Sequence, residues 1–188
     1  MIEYKVKVWP NGAKEWWLNG APHREDGPAR ELADGSKEWF LNGERHREDG
    51  PAIEDADGEK WWLNNKRHRE DGPAVELVDG TKVWYLNNKR HREDGPACEW
   101  SDGDKMWYLN GKRHREDGPA LECANGTKEW WLNGKYHRED GPAVERANGN
   151  KYWYLNHEKV DPETIVDLWL AKNIYCFYNV ETNSLEFD

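Results

Sequence analysis

The sequence predicts an all-β repeat protein: an elongated antiparallel meander of β-hairpins over residues 1–156, then a short α-helix and a hairpin cap over 157–188. Three observations carry that expectation. The string HREDGPA occurs six times unchanged, beginning at His23, His46, His68, His91, His114 and His137, at spacings of 23, 22, 23, 23 and 23 residues. Each copy holds two turn signals. Asp-Gly or Asn-Gly stands at Asn11, Asp34, Asp57, Asp79, Asp102, Asn125 and Asn148, and Asn-Gly or Asn-Asn at Asn19, Asn42, Asn64, Asn87, Asn110 and Asn133; both favour the positive φ of hairpin turns. Between the turns the segments are too short for stable helices and are rich in Trp, Tyr and Val.

A half unit at Asn11–Pro22 opens the array, and six repeats of two strands each follow. In Lys37-Glu38-Trp39-Phe40-Leu41, strand alternation puts Trp39 and Leu41 on one side and Glu38 and Phe40 on the other. A two-residue loop at Asp34-Gly35 would set residue 30 opposite Trp39. The equivalents of residue 30 are Arg30, Ile53, Val75, Cys98, Leu121 and Val144, so Trp, Leu and this position make the expected core. The opposite face then carries a second aromatic ladder, Trp17, Phe40, Trp62, Tyr85, Tyr108, Trp131 and Tyr154, beside the glutamates Glu31, Glu54, Glu76, Glu99, Glu122 and Glu145. The one 22-residue spacing is read as loss of a residue between Lys60 and Trp61, with a local bulge. A Lys column (Lys14, Lys37, Lys60, Lys82, Lys105, Lys128, Lys151) is expected across the hairpins from the glutamates. Asp161-Pro162-Glu163 starts a helix over 162–172. Beyond Asn173, Ile174–Val180 and Leu185–Phe187 read as a last hairpin that covers the open edge.

Composition narrows the function classes. The chain has 188 residues, 27 basic against 37 acidic side chains and a formal charge of −10. Few aliphatic residues and that charge would suggest disorder, but 13 Trp and 8 Tyr supply a core made of rings. The mean negative field argues against direct nucleic-acid or anionic-membrane binding. The amino-terminal MIEYKVKVWP lacks a signal-peptide pattern, and no apolar run reaches membrane-spanning length, so a cytoplasmic protein is expected. Cys98, Cys123 and Cys176 lack metal-ligand spacing and read as reduced thiols.

The stretch Trp107-Tyr108-Leu109-Asn110-Gly111-Lys112-Arg113-His114, followed by a Gly-containing strand and an Asp-Gly turn, resembles a variant MORN repeat (membrane occupation and recognition nexus). The resemblance covers about residues 9 to 156. It departs from the standard motif in the Arg-Glu-Asp after His and the Pro after Gly. Similar variants occur in phage and bacterial proteins and in a class of bacterial antitoxins. The resemblance implies a hairpin array with a binding or scaffolding role and no fixed ligand.

His-Arg-Glu-Asp contains the residue types of metal and acid/base sites, yet near-identical repeats offer near-identical environments, whereas catalysis needs groups tuned apart. No catalytic residue, metal site or cofactor is therefore expected. The string reads instead as a buttressed turn, with Asp accepting backbone N–H bonds, Gly in a special dihedral and Arg stacking or pairing between repeats. The expected site is a protein-binding strip made of the second ladder (Trp17, Phe40, Trp62, Tyr85, Tyr108, Trp131, Tyr154) with Glu76, Glu99 and Glu122. The expected function is a non-enzymatic scaffold that inhibits or sequesters a host protein, acting in the host cytoplasm if phage-encoded, with self-association left open. An acidic DNA mimic and a carbohydrate-binding module are the competing classes.

Overall fold

A computed structural model describes residues 3–180, with side chains as far as Lys172. The fold is an all-β repeat of antiparallel hairpins followed by one α-helix. The described residues divide into two compact units, the first ending at Lys112 and the second beginning at Arg113.

Each repeat makes four short strands where two were expected. In the repeat beginning at His68, these are Val75–Leu77, Lys82–Val83, Tyr85–Leu86 and Lys89–Arg90. The break falls at Trp84. Its N–H donates to the Ala97 carbonyl at 2.8 Å, and its carbonyl accepts the His91 N–H at 3.2 Å, so its backbone leaves the sheet ladder for the loop that follows. The first two strands pair with each other and with those of neighbouring repeats. In the first unit this builds one sheet from Lys5–Val8 through Lys105–Met106; in the second, Leu121–Glu122, Lys128–Glu129, Val144–Glu145 and Lys151–Tyr152 pair in order. The last two strands form a separate tight hairpin. Its turn has positive φ at both central residues, 51° at Asn87 and 65° at Asn88, as the Asn-rich turns predict.

Loop length decides the faces. The Asp-Gly turn spans three residues, not two: the Leu32 N–H donates to Ser36 O at 2.8 Å and the Gly35 N–H to Leu32 O at 3.1 Å, with Gly35 at φ +90°. Asp34 Oδ1 accepts the Ser36 N–H at 2.9 Å and fixes the turn. Arg30 therefore pairs with Glu38 rather than Trp39. A one-residue change of register moves a side chain to the other face, so residue 30 and its equivalents do not share a face with the Trp-Leu column as expected, although Trp84 still packs against the core cluster. The packed face holds Val75, Val83, Cys98 and Met106 together with Tyr85 and Tyr108 of the second ladder; Cys98 is 0% exposed, Tyr108 9% and, in an earlier repeat, Phe40 6%.

The short repeat is shortened at that same turn. Asp55 pairs with Gly58, Glu54 with Glu59 and Ile53 with Lys60, leaving a two-residue loop. No residue is lost between Lys60 and Trp61: Lys60 takes the place that Val83 holds in the next repeat, and the ladder continues in register. Gly58 is required there, since a Cβ would lie 2.1 Å from the Glu76 carbonyl oxygen at φ +134°. The Lys-Glu ladder forms as expected elsewhere, with Lys82 opposite both Glu76 and Glu99 and Lys128 opposite both Glu122 and Glu145.

The helix begins at Pro162 as predicted but runs to Val180. Ile174–Val180, expected as a strand, is helical. Neither Gly nor Pro follows Pro162 within it, and an interior Asn such as Asn173 costs under about 0.7 kcal/mol relative to Ala. The strand expected at Leu185–Phe187 lies outside the described residues.

Candidate functional site

Within each unit the second ladder is a row of rings packed against cationic side chains, with Phe40 and Tyr108 buried and Trp17, Trp62, Tyr85, Trp131 and Tyr154 half-buried. Phe40 lies 5.0 Å from Arg30 and 5.5 Å from Arg45, Trp62 5.5 Å from Arg45 and 5.2 Å from Arg67, and Tyr85 5.4 Å from Arg67. Tyr108 takes Arg90 at 5.3 Å, Trp131 takes Arg113 at 5.0 Å, Trp17 takes Lys7 at 4.6 Å, and Tyr154 stacks on Tyr136 at 5.2 Å. In the second unit this column closes around Glu129, whose side chain is 5% exposed. Arg113 (3.5 Å), Arg146 (3.1 Å), Trp131 Nε1 (3.1 Å) and the Tyr136 hydroxyl (3.2 Å) converge on its carboxylate. Burial, and then Glu129, push the Tyr136 phenol above its ordinary value. An open recognition strip was expected here; Phe40 and Tyr108 are instead buried, and the other five rings are half-buried against their neighbours.

The glutamates also change sides. Glu99 and Glu122 receive the loop arginines Arg92 (3.1 Å) and Arg115 (3.0 Å), and Glu76 pairs with Lys82 at 3.1 Å. They belong to the opposite, loop-bearing face, away from the ladder they were expected to accompany.

That loop face is built by the HREDGP string. In the copy at His91, Arg92 lies over Trp84 at 4.1 Å, donates through Nε to Asp94 at 2.9 Å and through Nη1 to the Pro96 carbonyl at 3.3 Å. Gly95 is not at positive φ, contrary to expectation; it is needed for room, since a Cβ would stand 2.9 Å from the Arg92 Cζ. The same closeness recurs at Gly27, Gly50, Gly72, Gly118 and Gly141. Asp94, expected to accept backbone N–H bonds, accepts from Arg92, and that hydrogen bond holds its carboxyl below the ordinary carboxylate range. His91 Nδ1 accepts the N–H of Asn110 at 3.1 Å, tying the loop to the next tight hairpin, while Nε2 faces Glu93 at 3.6 Å.

Successive loops leave open grooves between them. One, of about 710 Å³, has Trp84 and Leu86 as its floor and the loops at Arg69–Pro73 and His91–Asp94 as its walls. The preceding groove, about 540 Å³, has Trp61 and Leu63 as its floor and shares Arg69, Glu70 and Asp71 with its neighbour. The rims are acidic and solvent-facing: the side chains of Glu48, Glu70 and Glu93 are 83%, 84% and 83% exposed. In the second unit the equivalent groove over Trp130 and Leu132 is also lined by Trp169 and Lys172 of the helix, and Lys172 Nζ contacts Glu139. That hydrogen bond lowers the Glu139 pKa, and Glu139 is only 44% exposed, about half the value of the other rim glutamates.

Among the described residues no cluster of three or more His, Cys, Asp or Glu side chains is arranged to hold a metal ion, and no helix is long and apolar enough to cross a membrane. Sequence reasoning missed the groove floors, taken as core, and the rim acids, taken as turn residues. The signal was the unchanged HREDGP string itself, more uniform than a turn requires. Comparison with protein-family models and with curated proteins found no match.

Proposed function

We propose that the chain is a non-enzymatic, protein-binding repeat scaffold of the MORN type whose docking surface is the loop face. The observation that supports this reading is the run of adjoining grooves at Trp61 and Trp84, which repeat one apolar floor between exposed acidic rims. Half-buried Trp flanked by charge is a common composition for a protein-recognition surface. Repetition of one environment suits contact along an extended partner better than it suits chemistry at one point. In its finer form the reading makes the chain an acidic, antitoxin-like or phage-borne inhibitor that occupies a basic surface of a cytoplasmic host protein.

The test is affinity capture from a bacterial lysate with the unaltered chain and with Glu70→Lys/Glu93→Lys. Both side chains are over 80% exposed, so the melting curve should not move. Loss of the captured protein is expected. Capture unchanged by the charge reversals would remove the loop face from consideration.

A further inference from the structure

The second unit shows one groove with an occupant. A Trp and a Lys one helical turn apart, Trp169 and Lys172, line the Trp130 groove, and the Lys sits on the rim acid Glu139. The grooves at Trp61 and Trp84 in the first unit present the same floor and the same rim, and among the described residues no helix side chain lines them.

We infer that the first unit's grooves take a partner helix that presents Trp-Lys pairs one turn apart, of which the chain's own helix is an internal example. This rests on the loop face being the docking surface. Charge supports it, since the open rims carry exposed carboxylates and a cationic partner is complementary. Spacing supports it independently. Neighbouring grooves are two strands apart, roughly 9.6 Å at ~4.8 Å per strand. About seven residues of α-helix advance roughly 10.5 Å, so side chains at i and i+7 reach adjacent grooves. One helix laid along the first unit thereby fills consecutive grooves from one face. The apolar side chain supplies burial on the Trp-Leu floor, and the Lys supplies orientation at the rim.

The experiment uses the full chain and two labelled synthetic helical peptides of identical composition. In one the Trp-Lys pair recurs about every seven residues; in the control it recurs about every five, roughly 7.5 Å apart. Fluorescence anisotropy is expected to show the first binding at least about tenfold more tightly than the control, and losing at least about tenfold on Glu70→Lys/Glu93→Lys. Equal affinity of the two peptides, with both lost in the charge-reversal variant, overturns the helical partner while leaving the loop face as a docking surface. Binding indifferent to the charge reversal, together with unchanged lysate capture, overturns both. No peptide binding, with concentration-dependent self-association that Trp169→Ser abolishes, replaces the partner with the helix of a second copy.

Discussion

Gly95→Ala tests the loop architecture most directly. The new methyl would meet the Arg92 guanidinium at 2.9 Å and force it off Trp84. Arg92 then gives up its cation–π contact, its bond to the Pro96 carbonyl and its pairing with Glu99; exposed Asp94 adds little. A cation–π contact at a partly exposed site contributes about 0.5–1 kcal/mol, and the two remaining polar contacts about as much each. Loss of the whole clamp costs about 2 kcal/mol. Replacing Gly stiffens the unfolded chain by about 0.4–1 kcal/mol where φ is compatible, as it is at Gly95, so the net loss for Gly95→Ala is about 1 kcal/mol. Arg92→Ala alone should cost about 2 kcal/mol on the same contacts. With Arg92 already absent the methyl meets nothing, so the double variant should be no less stable than Arg92→Ala, a coupling of about 1.5–2 kcal/mol. Urea denaturation followed by tryptophan fluorescence gives the three free energies, and hydrogen exchange at the Trp84 amide localises the change. Additive losses, or a neutral Gly95→Ala, would refute the claim that Gly95 serves to make room for Arg92.

Three further outcomes follow from the packing. Glu129→Ala leaves Arg113, Arg146, Trp131 Nε1 and Tyr136 without their common acceptor and should cost about 3–5 kcal/mol by thermal or urea unfolding, whereas Glu145→Ala, which gives up the loop arginine Arg138 at 3.2 Å and a partly exposed place on the Lys ladder, should cost only about 1. Inserting Gly between Asp57 and Gly58 restores the three-residue turn of the other repeats and should leave the circular dichroism and melting curve intact, while insertion between Lys60 and Trp61 shifts Trp61 and Trp62 to opposite faces and should unfold that repeat. Side-chain hydrogen bonds from Arg24, Arg69, Arg92 and Arg115 hold Asp26, Asp71, Asp94 and Asp117 below the ordinary carboxylate range. A depressed folded-state pKa contributes stability above the unfolded value that is lost as pH falls through the folded one, so the urea midpoint should hold from neutrality to about pH 5 and decline below about pH 4; a midpoint that rises with acid would contradict the Arg-Asp pairing.

The sequence by itself determined the repeat period, the β class, the tight Asn-Gly and Asn-Asn turns, the pairing of the Lys column with the Glu column and the start of the helix at Pro162. These are local properties: turn chemistry acts within four residues, and charge ladders follow from strand order. The direction in which the rings point was decided only by tertiary structure. Asp34-Gly35 is compatible with a two-residue or a three-residue loop, and that single residue selects whether Phe40 or Trp39 faces the interior, since a strand has a side-chain period of two. The same choice moved Glu99 and Glu122 to the loop arginines and made Trp61 and Trp84, half-buried over the core, the floors of the grooves. The reason for Gly95 was equally hidden, because it depends on a guanidinium from three residues earlier lying against the backbone. Seating Lys172 on Glu139 joins residues 33 apart in sequence, a contact no local pattern encodes and only the packed second unit brings together.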